Sequence, residues 1–186
     1  MRSSYAQNNY GEVLFSMVTA YKPARIVELG VLDGYSTFHI SEGIRKNNYG
    51  HLKAYDLFED YPYKHSRYDD IRLLFEEDDN VSIFKGDAFE VHKDFPSSSV
   101  DMLHVDISNN GDIVKRMVEN WDEKIVQGGI IVFEGGSQER DKVRWMTEYN
   151  KSSIKEELDT NKIIEERYIY GTYLKFPSMT VLLKKR

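Results

Sequence analysis

The chain has 186 residues, of which 40% are hydrophobic and 30% are charged, and this is the composition of a folded globular protein. Its formal net charge of −6 argues against nucleic-acid binding through a broad basic face. The absence of cysteine excludes a disulfide framework, a thiolate nucleophile and a cysteine-ligated metal site. No apolar run is long enough to cross a bilayer and no signal segment is recognisable, so we expect a cytoplasmic protein without a membrane partner.

Strand and helix patterns alternate through the first half of the chain. Apolar residues on one helical face predict a helix over Asn9 to Tyr21, and Pro23 separates it from a first strand at Arg25-Ile26-Val27. Further strands are predicted over His51 to Leu57 and over Val81 to Phe84, with a helix before each. Such alternation demands parallel strands joined by helices that cover both faces of a sheet.

The second half continues the alternation and then changes character. A fourth strand is predicted over Val100 to Asp106, and a fifth over Ile130 to Phe133 after a break at Gly128-Gly129. We expect a long polar helix over Glu139 to Leu158. Two runs of strand composition then predict a hairpin, and they are Ile163 to Tyr170 and Met179 to Leu183.

The stretch after the first strand has the pattern of a ligand-binding turn. Gly30 lets the chain leave the strand sharply, and Gly34 lets the backbone approach a ligand without a Cβ atom in the way. A helix can begin at about Ser36, so its first N–H groups would face an anion, most simply a carboxylate or a phosphate. We therefore predict a strand, a turn and a helix that together present a small-molecule site.

The spacing within this turn discriminates between ligands. A dinucleotide fingerprint reads G-x-G-x-x-G, and here Leu32 stands where the middle glycine would admit the pyrophosphate. Asp33 adds a negative charge beside it, which also disfavours a diphosphate. Glu28, at the end of the strand, could hold an amino group. S-adenosylmethionine, with one carboxylate, one ammonium and one sulfonium, fits this description.

The turn resembles motif I of the class I S-adenosylmethionine-dependent methyltransferases. It is most similar to the small-molecule O-methyltransferase branch, of catechol and macrocin type, whose turn reads E-[LI]-G-x-x-x-G-x-[ST]. The matching residues are Glu28, Gly30, Gly34 and Ser36. The resemblance implies S-adenosylmethionine as cofactor and adds Tyr35, next to Ser36, to the residues expected to contact it.

The resemblance extends from about Tyr21 to Lys184 and implies a fold. It is an α/β fold with a Rossmann-like, doubly wound, mostly parallel seven-stranded sheet that ends in a C-terminal antiparallel hairpin. No linker, repeat or low-complexity tract divides the sequence. We therefore expect one methyltransferase-like domain over residues 1–186, in which residues 1–22 form an N-terminal helical segment.

Two further strand ends carry candidate cofactor residues. Asp56, followed by Leu57, ends the second strand close to the spacing at which an acidic side chain accepts both ribose hydroxyls, although a carboxylate there could also cap a surface loop. Asp87 and Ala88 follow the third strand and resemble motif III of the family. That resemblance implies contact with the adenine amino group, while a helix N-cap is the alternative role of Asp87.

The ends of the fourth and fifth strands are the candidate catalytic and metal positions. Asp106 resembles motif IV, and it could contact the cofactor sulfonium, act as general base, bind a metal or be structural. Catechol-type relatives hold magnesium with such an aspartate and an Asp-Asn pair after strand five. Here Glu134 keeps a carboxylate but Gly135 has no side chain, which argues against metal dependence. Asp106 and Glu134 could still share a magnesium ion with water, helped by Asn109 or Asn110.

The sequence leaves the base and the acceptor open. The relatives have a lysine or histidine base soon after the strand-four aspartate, but Ile107 to Asn110 contains neither. Asp106, His65 and His104 are the other candidate bases, and a mid-strand histidine such as His104 is more often a core residue. A pocket for a flat or sugar-like substrate could be lined by Tyr61, Tyr63, His65, Tyr68, Tyr170 and Tyr173, although aromatic side chains in loops often only cover the edge of a core.

Three functions are consistent with these patterns. The first is O-methylation of a small molecule, such as a sugar or a secondary metabolite. The second is binding of an adenosyl ligand without methyl transfer, which the missing base favours. The third is a nicotinamide-dependent oxidoreductase, against which Leu32 and the terminal hairpin argue. The N-terminal segment is short for this family, so either the pocket is open to a large acceptor or a second subunit of a homodimer closes it.

Overall fold

A computed structural model describes residues 1–63 and 65–186, apart from the side chain of Gln7. The chain divides into two compact units, Met1–Val91 and His92–Arg186. Within the described part of the chain, no helix is both long enough and apolar enough to cross a membrane.

The first unit contains three parallel strands in the order β3-β2-β1. These strands are β1 (Arg25–Leu29), β2 (His51–Asp56) and β3 (Val81–Lys85), and the helices are α1 (Tyr10–Tyr21), α2 (Tyr35–Asn47) and α3 (Tyr68–Leu74). The ladder between β1 and β2 continues past Leu29, because the Gly30 N–H donates to the Tyr55 carbonyl at 2.8 Å. The carboxyl ends of β1 and β2 therefore lie side by side at one edge of the sheet.

Helices α1 and α2 pack closely because small residues stand at their contact. A Cβ atom on Gly11 of α1 would lie 2.2 Å from the His39 ring of α2, and one on Gly43 of α2 would lie 2.7 Å from Val18. Ile40 and Ile44 of α2 are fully buried and pack into the core of this unit. The close packing fixes α2, whose first turn borders the predicted ligand-binding turn.

The second unit contains four strands in the order β4-β5-β7-β6. The strands are β4 (Val100–Val105), β5 (Ile125–Glu134), β6 (Tyr168–Tyr173) and β7 (Met179–Lys184). The helices are α4 (Gly111–Trp121), α5 (Gln138–Asp141), α6 (Arg144–Glu148), α7 (Ile154–Thr160) and α8 (Lys162–Arg167). Strand β5 pairs parallel with β4 and antiparallel with β7, and β7 pairs antiparallel with β6. The prediction of a mostly parallel seven-stranded sheet with a C-terminal antiparallel hairpin is confirmed.

The expected break at Gly128-Gly129 is wrong, because β5 already begins at Ile125 and runs through both glycines. The strand accommodates them with a register shift, in which Val100 pairs with Ile125 and Met102 pairs with Ile130. A Cβ atom on Gly129 would lie 2.7 Å from Ile125 and 3.1 Å from the Asp101 carbonyl oxygen. The glycines therefore allow an irregularity within the strand and do not end it.

Two other predictions for the second unit are wrong. The single helix expected over Glu139 to Leu158 is replaced by the short helices α5, α6 and α7, since Asn150 takes a left-handed conformation with φ of 46° between α6 and α7. The strand expected to begin at Ile163 begins only at Tyr168, because residues 162–167 form α8. Asn161 caps α8 by accepting hydrogen bonds from the next residues' N–H groups, and Ile164 is buried.

Candidate active site

The turn after β1 has an alternating backbone conformation that leaves the start of α2 uncapped by a side chain. Gly30, Leu32 and Gly34 have positive φ angles of 93°, 49° and 80°, respectively. Gly34 is the N-cap residue of the 13-residue helix α2, and no side chain makes the usual capping hydrogen bond there. The first N–H groups of α2 are thus suited to an anionic ligand group, as the sequence predicted.

Asp56 fastens this turn to the end of β2. Its Oδ2 accepts hydrogen bonds from the Val31 N–H at 2.7 Å and the Leu32 N–H at 3.0 Å, and its Oδ1 accepts one from the Phe58 N–H at 2.9 Å. A carboxylate has about four acceptor sites, so one site on Oδ1 is left for a ligand hydroxyl. The structure thus gives Asp56 a role in shaping the turn that the sequence did not reveal, and Leu57 lies half-buried beside it.

Asp33 links the same turn to the N-terminal segment and to the loop before α3. Its carboxylate accepts hydrogen bonds from the Arg2 backbone N–H at 2.7 Å, from Nε at 3.0 Å and from Nη2 at 2.7 Å. The Ser66 hydroxyl donates to Oδ1 at 2.5 Å. The side-chain hydrogen bonds from Arg2 hold the pKa of Asp33 well below its usual range, against the opposing effect of burial. Because Arg2 compensates the charge of Asp33, this charge is a weaker argument against a diphosphate than the sequence suggested.

The Asp33 contacts predict a pH-dependent stability. The depressed pKa of Asp33 means that its contribution is present above the unfolded-state pKa of about 4 and is lost as pH falls through the folded-state pKa. We expect Asp33→Asn to lower the free energy of unfolding by about 1 kcal/mol or less at neutral pH, since the Arg2 pair is largely exposed. Urea unfolding at several pH values measures this. The gap to the wild type should narrow below about pH 4, and a gap that does not change with pH would contradict the assignment.

Glu28 and the first residues of α2 lie beneath the turn. The Glu28 side chain is fully buried, and its Oε2 accepts a hydrogen bond from the Thr37 hydroxyl at 2.5 Å. Ser36 is also buried, while the Tyr35 ring is half-buried and packs edge-on against His39 with ring centroids 4.7 Å apart. Contact of Glu28 with a ligand amino group stays a prediction. The hydrogen bond from Thr37 to Glu28 was not predicted from the sequence, although Ser36, the hydroxyl residue of the motif, directly precedes Thr37.

The end of β3 lies beside Asp56 at the same edge of the sheet. The Gly86 N–H donates to the Asp56 carbonyl at 2.9 Å, which places Asp87 and Ala88 next to the second strand end. Asp87 is exposed, and its Oδ1 accepts a hydrogen bond from the Phe89 N–H at 2.8 Å. This bond is the local capping role that the sequence left open. Contact of Asp87 and Ala88 with adenine stays a prediction.

The loop between β2 and α3 carries Tyr61, Tyr63 and His65, three of the side chains that could line a substrate pocket. The Tyr61 and Tyr63 rings pack edge-on with centroids 5.3 Å apart, and Tyr63 is 71% exposed. His65 Nδ1 lies 2.5 Å from the Tyr63 carbonyl oxygen. Lys64, within this loop, lies outside the described residues. In the second unit, the Tyr170 hydroxyl donates to Asp159 at 2.7 Å. The substrate role of these aromatic side chains therefore stays a prediction.

Glu134, at the end of β5, has a cationic partner that the sequence reading did not identify. Arg140 Nε donates to Glu134 Oε1 at 2.6 Å, and the two side chains are only 6% and 9% exposed. Asn109 is fully buried and donates from Nδ2 to the Val105 carbonyl at 3.0 Å and to the Glu134 carbonyl at 3.2 Å. Asn110 instead caps α4 by accepting hydrogen bonds from the N–H groups of its first turn.

The remaining candidates in the second unit differ in accessibility. Asp106 directly follows β4 and is half-buried, and its contact with a ligand stays a prediction. His104 is fully buried within β4, which disfavours its predicted role as a base. Across the described residues, no three histidine, cysteine, aspartate or glutamate side chains group together as a metal site.

Known proteins resemble the chain in sequence family and in fold. The model of a family described as a methyltransferase domain matches residues 27–134. No curated protein matches the chain. Among solved structures, the S-adenosylhomocysteine-bound methyltransferase PaMTH1 of Podospora anserina is 18% identical, with a TM-score of 0.72, and the match covers 100% of this chain and 80% of that one.

Two O-methyltransferase structures are similarly close in fold. TomG of Streptomyces achromogenes, involved in tomaymycin synthesis and solved with S-adenosylmethionine, is 12% identical, with a TM-score of 0.69, and the match covers 96% of this chain and 80% of that one. The Bacillus cereus O-methyltransferase, solved with S-adenosylhomocysteine, is 16% identical, with a TM-score of 0.68 and coverage of 96% and 81%, respectively. At these identities the likeness establishes the fold.

Proposed function

The chain belongs to the methyltransferase-domain family, and from this premise we propose that it transfers the methyl group of S-adenosylmethionine to an oxygen atom of a small molecule. The observation that carries the proposal is the turn after β1. Asp56 fixes the shape of this turn by accepting hydrogen bonds from its backbone, and the first N–H groups of α2 beside it have no side-chain cap. The family match spans residues 27–134 and so includes parts of both compact units. This supports the view that residues 1–186 act as one catalytic domain.

The cofactor's groups match the chemistry of the first unit. The carboxylate of the methionyl part would accept hydrogen bonds from the uncapped N–H groups at the start of α2. The remaining acceptor site of Asp56 Oδ1 would take a ribose hydroxyl, and Asp87 with Ala88 would border the adenine. PaMTH1 and TomG were solved with S-adenosylhomocysteine and S-adenosylmethionine, respectively, which supports the same class of ligand here.

The chemistry is an in-line displacement at the methyl carbon. The acceptor oxygen forms the new bond while the thioether leaves, so the positive charge of the sulfonium disappears along the reaction path. Positioning and exclusion of water can therefore supply most of the acceleration. Asp106 is the carboxylate that we assign to this step, either as the partner of the sulfonium charge or as the acceptor of the hydroxyl proton.

The acceptor class is the finer part of the proposal. TomG and the Bacillus cereus protein are O-methyltransferases, which supports oxygen as the acceptor atom. We assign a hydroxyl of a sugar or a secondary metabolite, because the exposed Tyr63 ring of the loop before α3, packed against Tyr61, suits flat rings and sugar faces.

An acceptor panel tests this function. The purified chain is incubated with S-adenosylmethionine and with phenols, catechols or sugars, and S-adenosylhomocysteine and methylated product are quantified by mass spectrometry. We expect both products to form together with at least one hydroxyl acceptor. Cofactor binding without product from any acceptor would instead favour an adenosyl-ligand-binding protein without methyl transfer.

A further inference from the structure

The buried ion pair between Glu134 and Arg140 carries an inference beyond the transfer reaction itself. Removing two charges from water is costly, and such a pair is tolerated only when its partners are well placed. Here Arg140 Nε donates to Glu134 Oε1 at 2.6 Å, and the guanidinium carbon lies 5.0 Å from the centre of the Trp145 ring. Arg140 Nη1 is buried and has no hydrogen-bond partner among the described residues. The guanidinium is therefore held as a fixed cation at the end of β5.

The chain between the two residues is built to bring them together. Gly135 and Gly136 have φ angles of 111° and 106°, a conformation that favours glycine. The Gly135 N–H donates to the Ser178 carbonyl at 3.0 Å, which ties the turn to the start of β7. Ser137 then caps α5 by accepting a hydrogen bond from the Arg140 N–H at 3.1 Å. The turn and the cap together direct Arg140 back onto Glu134.

This construction disfavours the asparagine that catechol-type relatives use as a metal ligand. That asparagine would stand at Gly135, where the φ of 111° is strained for any residue with a Cβ atom and where Ile154 Cδ1, 2.4 Å from the new Cβ atom, would have to shift. Asn109 is held by its two Nδ2 hydrogen bonds, and its buried Oδ1 has no hydrogen-bond partner among the described residues. A divalent ion on Glu134 would also face the guanidinium charge of Arg140. The residues present therefore do not fit a divalent metal while Arg140 is in place.

We propose that Arg140 is a resident cation that keeps divalent metal away from Glu134, so that the methyl transfer proceeds without a metal ion. A guanidinium stays protonated at every working pH, so this positive charge is permanent. Arg140 is a positioning residue, because it acts by neutralising Glu134 and by fixing the end of β5. The statement that methyl transfer needs no metal ion rests on the proposed function, whereas the exclusion of metal from Glu134 does not.

Manganese binding tests the exclusion directly. The free Mn²⁺ signal in electron paramagnetic resonance is followed while wild-type protein is titrated with Mn²⁺ alone. At millimolar metal we expect no Mn²⁺ bound through Glu134 in the wild type. We expect one Glu134-dependent bound ion in Arg140→Met, because this variant removes the cation that competes for the Glu134 carboxylate. Arg140→Lys is the matched control, since it keeps the charge and should gain no binding. Arg140→Met combined with Glu134→Gln should lose the gained site.

Each outcome decides the question. Mn²⁺ bound to the wild type and lost in Glu134→Gln would overturn the proposal, and this comparison needs no Arg140 variant to fold. A folded Arg140→Met protein that gains no site would overturn it as well. With an acceptor identified, chelator-treated wild-type enzyme should keep its full rate, and restoration of a lost rate by Mg²⁺ would refute metal independence. If no acceptor is found, the proposed function fails while the Mn²⁺ result still stands.

Discussion

Asp56→Ala should weaken S-adenosylmethionine binding by about 1–3 kcal/mol, which corresponds to roughly 5- to 150-fold in Kd. The change removes the acceptor oxygen that we propose for a ribose hydroxyl. It also releases the Val31 and Leu32 N–H groups that the Asp56 carboxylate holds at 2.7 and 3.0 Å. The turn then loses its fixed shape, so the cofactor has to order it on binding. Isothermal titration calorimetry of the variant and the wild type measures the difference.

Two further variants separate the role of Asp56 from general damage. Asp56→Asn keeps one acceptor oxygen and should lie between the wild type and the alanine variant in affinity. Asp70→Ala removes an exposed carboxylate on α3 of the same unit and should leave the Kd unchanged. Equal Kd values for Asp56→Ala and the wild type would mean that the cofactor does not reach the end of β2.

Gly136→Ala should lower the free energy of unfolding by about 3 kcal/mol or more, since it combines backbone strain with a steric overlap. The residue has a φ of 106°, and the new Cβ atom would lie 2.2 Å from Thr180 Oγ1. Thr180 has little freedom to move, because it is fully buried and its hydroxyl donates to the Gly135 carbonyl at 2.7 Å. The midpoint of urea unfolding reports the loss.

Gly171→Ala is the matched control for this substitution. Gly171 lies on β6 in the same unit, and a Cβ atom there meets no other atom within 4 Å. This variant should be neutral or more stable by up to about 1 kcal/mol, because alanine restricts the unfolded chain. The same unfolding midpoint for Gly136→Ala and Gly171→Ala would contradict the strain assigned to the turn between β5 and α5.

The turn after β1 could be predicted from sequence because its conformation depends on residues that are close together in the chain. The two glycines of the first turn stand only four positions apart in the chain, and both have positive φ angles. Asp56 and Asp87 could be brought to the same edge because parallel strands end together there. The hydrogen bonds that shape the turn join residues far apart in sequence, such as Arg2 with Asp33, and no pattern in the chain records such pairs.

The second unit shows where periodicity fails. The helix expected over Glu139 to Leu158 is interrupted because single residues take special conformations, and a hydrophobic pattern does not register them. The run at Ile163-Ile164 has the composition of a strand, but the cap at Asn161 and the burial of Ile164 favour α8. The pairing of Glu134 with Arg140 depends on the positive φ angles of Gly135 and Gly136 and on the Ser137 cap, which a hydrophobic pattern does not record either.

Hydrogen–deuterium exchange with and without S-adenosylhomocysteine tests most directly whether the cofactor lies on the turn that Asp56 holds. We predict slower exchange in peptides covering residues 27–37, 56–58 and 86–88 when the ligand is present, and loss of this protection in Asp56→Ala. Unchanged exchange in all three segments at saturating ligand, or protection confined to other peptides, would contradict it.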